Sequence, residues 1–155
     1  MSNPLDRYDQ GIVFYGAKAS SLPTYTDFLG VTRTAVLLVN GTAVKMAAEV
    51  ESAFFHVGAA SRYTFQVDVR TESEVTVDLG LEGHFDVDPT AQFGKLATFR
   101  NDDLQTKAVH TFSTTGRYIL QTANVGTMAE AALAATLHGT PGDIVSIIVR
   151  LRVER

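Results

Sequence analysis

The chain has no cysteine and no tryptophan, and only four of its 155 residues are proline. The missing cysteine excludes disulfides, thiolate catalysis and cysteine-held metals. The missing tryptophan removes the favoured stacking surface for sugar rings. No apolar run is long enough to cross a bilayer as a helix. The first ten residues, MSNPLDRYDQ, carry Pro4, Asp6, Arg7 and Asp9 and lack the apolar centre of a signal peptide. Synthesis in a cytoplasm is the resulting expectation. Positive charge is also scarce: 13 Lys and Arg stand against 17 Asp and Glu, a net charge of −4. The one local basic cluster is Arg150, Arg152 and Arg155; the first two fall on alternate positions of a strand end, and the cluster reads as a solvated face. Without a basic patch, neither direct nucleic-acid binding nor a membrane role is expected.

Motifs that carry chemistry are missing too. There is no G-x-S-x-G, G-x-G-x-x-G or P-loop, and no H-x-H or H-E-x-x-H. The four histidines, His56, His84, His110 and His138, are widely separated and read as core or surface residues, not ligands. Asp86, Asp88 and the run Asn101-Asp102-Asp103 resemble an oxygen-rich cation loop in composition only. They lack the spacing and closing glutamate of an EF-hand, and a solvated acidic face is the preferred reading. The expectation is therefore a non-enzymatic protein with no cofactor and no resident metal.

What the chain does have is alternation. Across residues 62–88 apolar side chains recur at every second position: Tyr63, Phe65, Val67 and Val69, then Val75, Val77, Leu79 and Leu81, then Phe85 and Val87. That is the pattern of strands with one buried and one wet face. The wet face carries Asp68, Glu74, Asp78, Glu82, Asp86 and Asp88, without interleaved lysine. Residues 62–70 and 74–81 read as a hairpin with Val69 opposite Val75. Beyond Leu81, either the strand continues with a bend at Gly83 or a three-residue loop pairs Leu81 with Phe85.

Asn40-Gly41 suits a type I′ turn, which would pair Leu37 with Val44 and Ala35 with Met46 in a well-buried hairpin. Asn40-Gly41-Thr42 is formally a glycosylation sequon, discounted because the turn is tight. Further strands are expected over residues 52–57, 107–113 and 116–125, with Phe93, Leu96 and Phe99 anchoring a loop-rich stretch between. Residues 128–138 are ambiguous. Thr127 and Glu130 could cap an alanine-rich helix, but Ala131, Leu133, Ala135 and Leu137 alternate. A hairpin with residues 144–153, through a type II turn at Pro141-Gly142, is preferred. The fold expected is all-β: a single antiparallel, jelly-roll-like β-sandwich over residues 31–155.

Residues 1–30 differ. They hold Tyr8, Phe14, Tyr15, Tyr25 and Phe28, with only residues 12–15 reading as a short strand. A disordered tail would be poorer in aromatics. The segment reads as a strap across its own sandwich or as an arm reaching a neighbouring subunit, and these five aromatics are the candidate partner contacts.

At the C-terminus, residues 131–138, then Gly139-Thr-Pro-Gly-Asp143, then IVSIIVRLRVE resemble the closing hairpin of jelly-roll modules of tailed-phage structural proteins and carbohydrate-binding modules. The strand beginning Gly116-Arg-Tyr-Ile-Leu-Gln fits the same layout. The resemblance implies a virion protein assembled in the host cytoplasm, of the capsid decoration (cement) type. It would bind a major capsid protein or other virion subunits and form homo-oligomers, trimers among them. The alternatives are a carbohydrate- or ligand-binding module and a small enzyme.

Overall fold

The computed structural model describes residues 11–16, 22–26, 32–45, 55–56, 62–84, 94–122 and 130–154. Among these there are β-strands and no helix, numbered below in chain order. One sheet has seven strands in the order β11 (Gln105–Lys107), β10 (Thr98–Arg100), β13 (Gly116–Thr122), β7 (Arg62–Arg70), β15 (Val145–Glu154), β1 (Gly11–Gly16) and β4 (Val36–Leu37). The second runs β12 (Val109–Phe112), β8 (Thr76–His84), β14 (Glu130–His138) and β5 (Ala43–Lys45). Here β9 (Gly94–Leu96) also pairs with β8, and β6 (Phe55–His56) with β14. A separate pair joins β2 (Thr24–Thr26) to β3 (Thr32–Thr34). The pairings are antiparallel except β1 with β4, which is parallel.

The two sheets face each other across one apolar core, as a β-sandwich. Phe14, Phe65, Val67, Leu120, Ile147 and Val149 come from the first sheet. Val77, Leu79, Leu81, Phe112, Leu133 and Leu137 come from the second. Period-two alternation places them there. On β7, Phe65, Val67 and Val69 are buried while Thr64, Gln66 and Asp68 are half-buried on the outside.

The faces follow the sequence pattern, but the pairings do not. Residues 62–70 and 74–81 are not a hairpin: β7 lies in one sheet and β8 in the other, so their apolar faces meet across the core. The same holds for β4 and β5 and for β14 and β15. At Asn40-Gly41 only a single bridge, Val39 to Thr42, remains of the expected hairpin. Leu37 is paired with Tyr15 instead of Val44, and it is 52% exposed. Only Gly41 takes a positive φ, +76°, which is the type II pattern and not type I′. In the 139–144 connection the positive φ falls on Gly139, not Gly142. Alternation fixes which way a side chain faces; it says nothing about which strand lies alongside.

The ambiguous 128–138 segment resolves as strand from Glu130. Leu133, Ala135 and Leu137 fill the core, a tertiary gain that outweighs alanine's helix preference. Past Leu81, β8 continues through Gly83 to His84, the first of the two alternatives. The expected anchors Leu96 and Phe99 lie on β9 and β10; Phe93, Phe85 and Met46 lie outside the described residues. Inside the 1–30 segment, β1 is a full member of the larger sheet, between β15 and β4.

Four connections cross between the sheets at one end and are bound together by hydrogen bonds. Gly41 N donates to Leu137 O at 2.7 Å, and Gly139 N to Asn40 Oδ1 at 3.1 Å. The Glu72 carboxylate accepts from the backbone amides of Gly142 and Asp143. Thr115 Oγ1 both accepts from Thr71 N and donates to Thr71 O. These bonds satisfy loop amides that the sheet ladders leave free.

Candidate functional site

Polar side chains on the outside of the larger sheet are arranged in cross-strand sets. Asp68 on β7 accepts from Arg117 Nε on β13 at 2.7 Å and from Arg150 on β15. Burial opposes its ionisation. The bonds and charges of Arg117 and Arg150 outweigh that, and its pKa lies below the ordinary 3.8. The acidic face therefore does carry interleaved cations, supplied by neighbouring strands. Because the folded pKa is the lower one, the stabilisation is fully present above the unfolded value. It disappears as pH falls through the folded pKa. Thermal melts of wild type and Asp68→Asn from pH 7 to pH 2.5 should show a gap in stability at neutral pH that closes in acid. A gap of constant size would contradict this.

Arg100 on β10 makes a second cross-strand set of polar contacts. Its Nε and Nη2 grip Asp102 at 2.6 and 2.9 Å, and Nη1 donates to Thr111 O at 2.9 Å. The guanidinium also lies 4.6 Å from the centre of the Phe112 ring and 4.7 Å from that of Tyr118. Asp102 is held below the usual carboxylate range chiefly by these bonds from Arg100. Asp103 Oδ1 caps Gln105 N at 3.0 Å. In this loop the carboxylates serve the guanidinium and the turn. Asp86 and Asp88 lie outside the described residues.

The loop between β10 and β11 ends in an unusual residue. Leu104 has φ +58° and is 71% exposed. A left-handed backbone costs a leucine roughly 1–2 kcal/mol, and glycine or asparagine would sit there more easily. Glu74 shares this conformation at φ +67°, but as a solvated acid. Leu104 combines strained backbone with an apolar side chain in water. Among the described residues, Leu37, Val39 and Val109 are the other large apolar residues with substantial exposure.

On the outer face of the smaller sheet, Asp78 accepts from Thr111 Oγ1 at 2.6 Å and meets His138 Nε2 at 2.8 Å. Beside it is a hollow of about 230 Å³, bounded by Gly80, Ala134, Ala43 and Val109 and rimmed by Asp78, Glu82, Lys95, Thr136 and His138. Its volume is below the roughly 300–1,000 Å³ usual for small-molecule pockets, and its lining has no phenylalanine or tyrosine ring. His110 is fully buried, with Nε2 2.8 Å from Thr98 O, as expected of a core histidine.

The five aromatic residues singled out in the N-terminal segment do not share one environment. Phe14 is completely buried in its own core, so its ring has no surface left for a partner. Tyr15 and Tyr25 are half-buried, on β1 and β2. Tyr8 and Phe28 lie outside the described residues. Neither Leu104 nor the setting of Arg100 carried a sequence signal: a leucine gives no sign of a left-handed backbone, and Thr111, Phe112 and Tyr118 reach Arg100 from other strands.

No protein-family model matches the chain, and no curated protein matches it. Among solved structures, it is similar to the SPBc2 prophage-derived protein YomS, at 15% identity and a TM-score of 0.41. The match covers 74% of this chain and 98% of that one. A likeness at this level establishes neither a shared fold nor a shared role; the sandwich assignment stands on the strands and their register. The class defined by the fold is that of all-β, two-sheet sandwich proteins.

Proposed function

We propose that the chain is a non-enzymatic structural protein of a virion, a capsid decoration (cement) protein that bridges shell subunits and forms homo-oligomers. The observation that carries the protein-contact reading is Leu104. It is an exposed leucine held at positive φ on a hairpin tip that Arg100, Asp102 and Asp103 make rigid. A strained residue that isolated stability would not favour is best accounted for by contact with a partner. The capsid role itself comes from the sequence resemblance and from the sandwich architecture that fits it.

Two measurements test the reading. Leu104→Asn should raise stability by about 0.5–1 kcal/mol, because asparagine tolerates the left-handed backbone. The same variant should weaken self-association in sedimentation velocity runs or attachment to shells. Immunogold labelling of particles from lysing cells that carry the gene should mark the capsid surface. A variant that associates like wild type removes Leu104 from the contact, and unlabelled shells remove the decoration role.

A second reading, a ligand-binding module, has the hollow over Gly80 and Ala134 in its favour. Glycan-array binding that Ala134→Leu abolishes would support it over the first.

A further inference from the structure

The smaller sheet ends at β12, which pairs with β8 on one side and, among the described residues, with no strand on the other. A bare edge of this kind is a template for another strand unless something covers it. Two contacts show which of its backbone groups face outward. A Cβ on Gly80 would stand 2.7 Å from Ala108 O, so that carbonyl lies over β8. Thr111 O instead accepts from Arg100 Nη1 at 2.9 Å, on the open side. Successive residues of an antiparallel strand alternate in this respect. Val109 and Thr111, opposite Gly80 and Asp78, therefore turn their N–H and C=O away from β8, while His110 and Phe112 turn theirs towards it. The 2.6 Å bond from Thr111 Oγ1 to Asp78 fits the closer side-chain approach of such a pair.

Arg100 reaches this edge from the other sheet and is fixed from several directions. Asp102 holds Nε and Nη2 at 2.6 and 2.9 Å, and the guanidinium lies over the rings of Phe112 and Tyr118. That leaves Nη1 aimed at Thr111 O. A guanidinium bonded and stacked in this way stands where the first donor of an added strand would come.

The edge it covers is self-complementary. In a two-fold antiparallel pairing centred on His110, Val109 of each copy lies opposite Thr111 of the other, and each such pair exchanges both backbone bonds. Both side chains are exposed and uncharged, so they set no repulsion against the pairing. What it has to displace is Arg100 Nη1 from Thr111 O.

We propose that Arg100 is the cap of a latent docking edge: it holds β12 shut, and without it β12 pairs with β12 of a second copy. This does not rest on the virion reading, whose contact is the Leu104 tip.

The test uses the full chain with Arg100→Met, which keeps an unbranched apolar stem and removes the donors. The background is Leu104→Asn, which takes the tip contact away. Amide exchange is followed by NMR in dilute and concentrated samples. In the Leu104→Asn parent the amides of Val109 and Thr111 should exchange fast at both concentrations. In the Arg100→Met variant they should slow at least about tenfold on concentration, while sedimentation velocity shows a dimer. Val109→Pro added to that variant should abolish the dimer. The amide it removes faces outward, which is where an edge strand tolerates proline. Val109→Lys, a charge set against its own copy, is the substitute if the proline variant does not fold. Circular dichroism establishes folding. If Arg100→Met fails there, Asp102→Ala, which keeps the arginine and removes the group that aims it, should give the same protection in weaker form. Exchange equally fast at both concentrations in whichever of these two variants folds would overturn the proposal. So would a dimer that survives the change at Val109, or protected Val109 and Thr111 amides in the dilute parent.

Discussion

Phe112→Ala should lower the unfolding free energy by about 3–5 kcal/mol, the cost of emptying a large aromatic site in a packed core. Phe112 is fully buried at the end of β12, where the two sheets close on each other. Its ring centre lies 4.7 Å from that of Tyr118, tilted by 51°, and the Arg100 guanidinium lies over it. Tyr118 in turn donates its hydroxyl hydrogen to Thr114 O at 2.6 Å. Removal of the ring would leave a void beside a charged group that is only 13% exposed. The loss should therefore sit at the upper part of that range. Phe112→Leu, which keeps most of the volume, should cost markedly less. Urea unfolding with unchanged slope checks both, because a changed slope would signal an altered unfolded or native ensemble. A loss below 1 kcal/mol for Phe112→Ala would contradict the packing described.

Gly139→Ala should be the most damaging single methyl addition among the connections, at about 2–4 kcal/mol. Two penalties coincide. The backbone at φ +112° lies where side chains are rarely tolerated, worth about 1–3 kcal/mol. A Cβ there would also stand 2.9 Å from Glu74 O, and a backbone atom cannot swing aside as a side chain can. Gly142, three residues on, provides the comparison. Its Cβ would meet Glu72 Oε1 at 3.5 Å, an ordinary contact, and its φ is not positive. Gly142→Ala should be nearly neutral in the same melts. If the order of the two glycines is reversed, the turn is built as Pro141-Gly142 suggests from sequence and not as described here.

That contrast illustrates what was legible in the sequence. The buried faces were: Phe65 and Val67, Val77 and Leu79, Ile147 and Val149 all lie on the core side that alternation assigns them. The neighbours were not. A hydrophobic period of two is satisfied equally by two strands side by side in one sheet and by two strands facing each other across a core. Choosing between them depends on sheet twist and loop geometry summed over the whole domain. Hence Val69 and Val75 were correctly placed inside and wrongly placed alongside. For 128–138, local propensity and tertiary packing disagreed, and packing of Leu133 and Leu137 prevailed.

The polar groupings were less legible still. Asp68 meets Arg117 and Arg150 through two pairings that no local pattern encodes. Sequence spacing finds side chains that meet within one helix or hairpin. It is blind to partners assembled across a sheet.

The position of β15 governs how the chain can be made. Of the described strands it comes last in the chain, yet it is not added at a margin: it sits between β7 and β1, hydrogen-bonded to both. Until residues 145–154 leave the ribosome, β1 lacks that partner, and β7 shows an open edge beside an uncovered apolar face. The larger sheet therefore closes only once residues 145–154 are available to it. Premature termination just before Val145 would give no smaller working version of the fold, only a product with two unpaired edges prone to stick to its own kind.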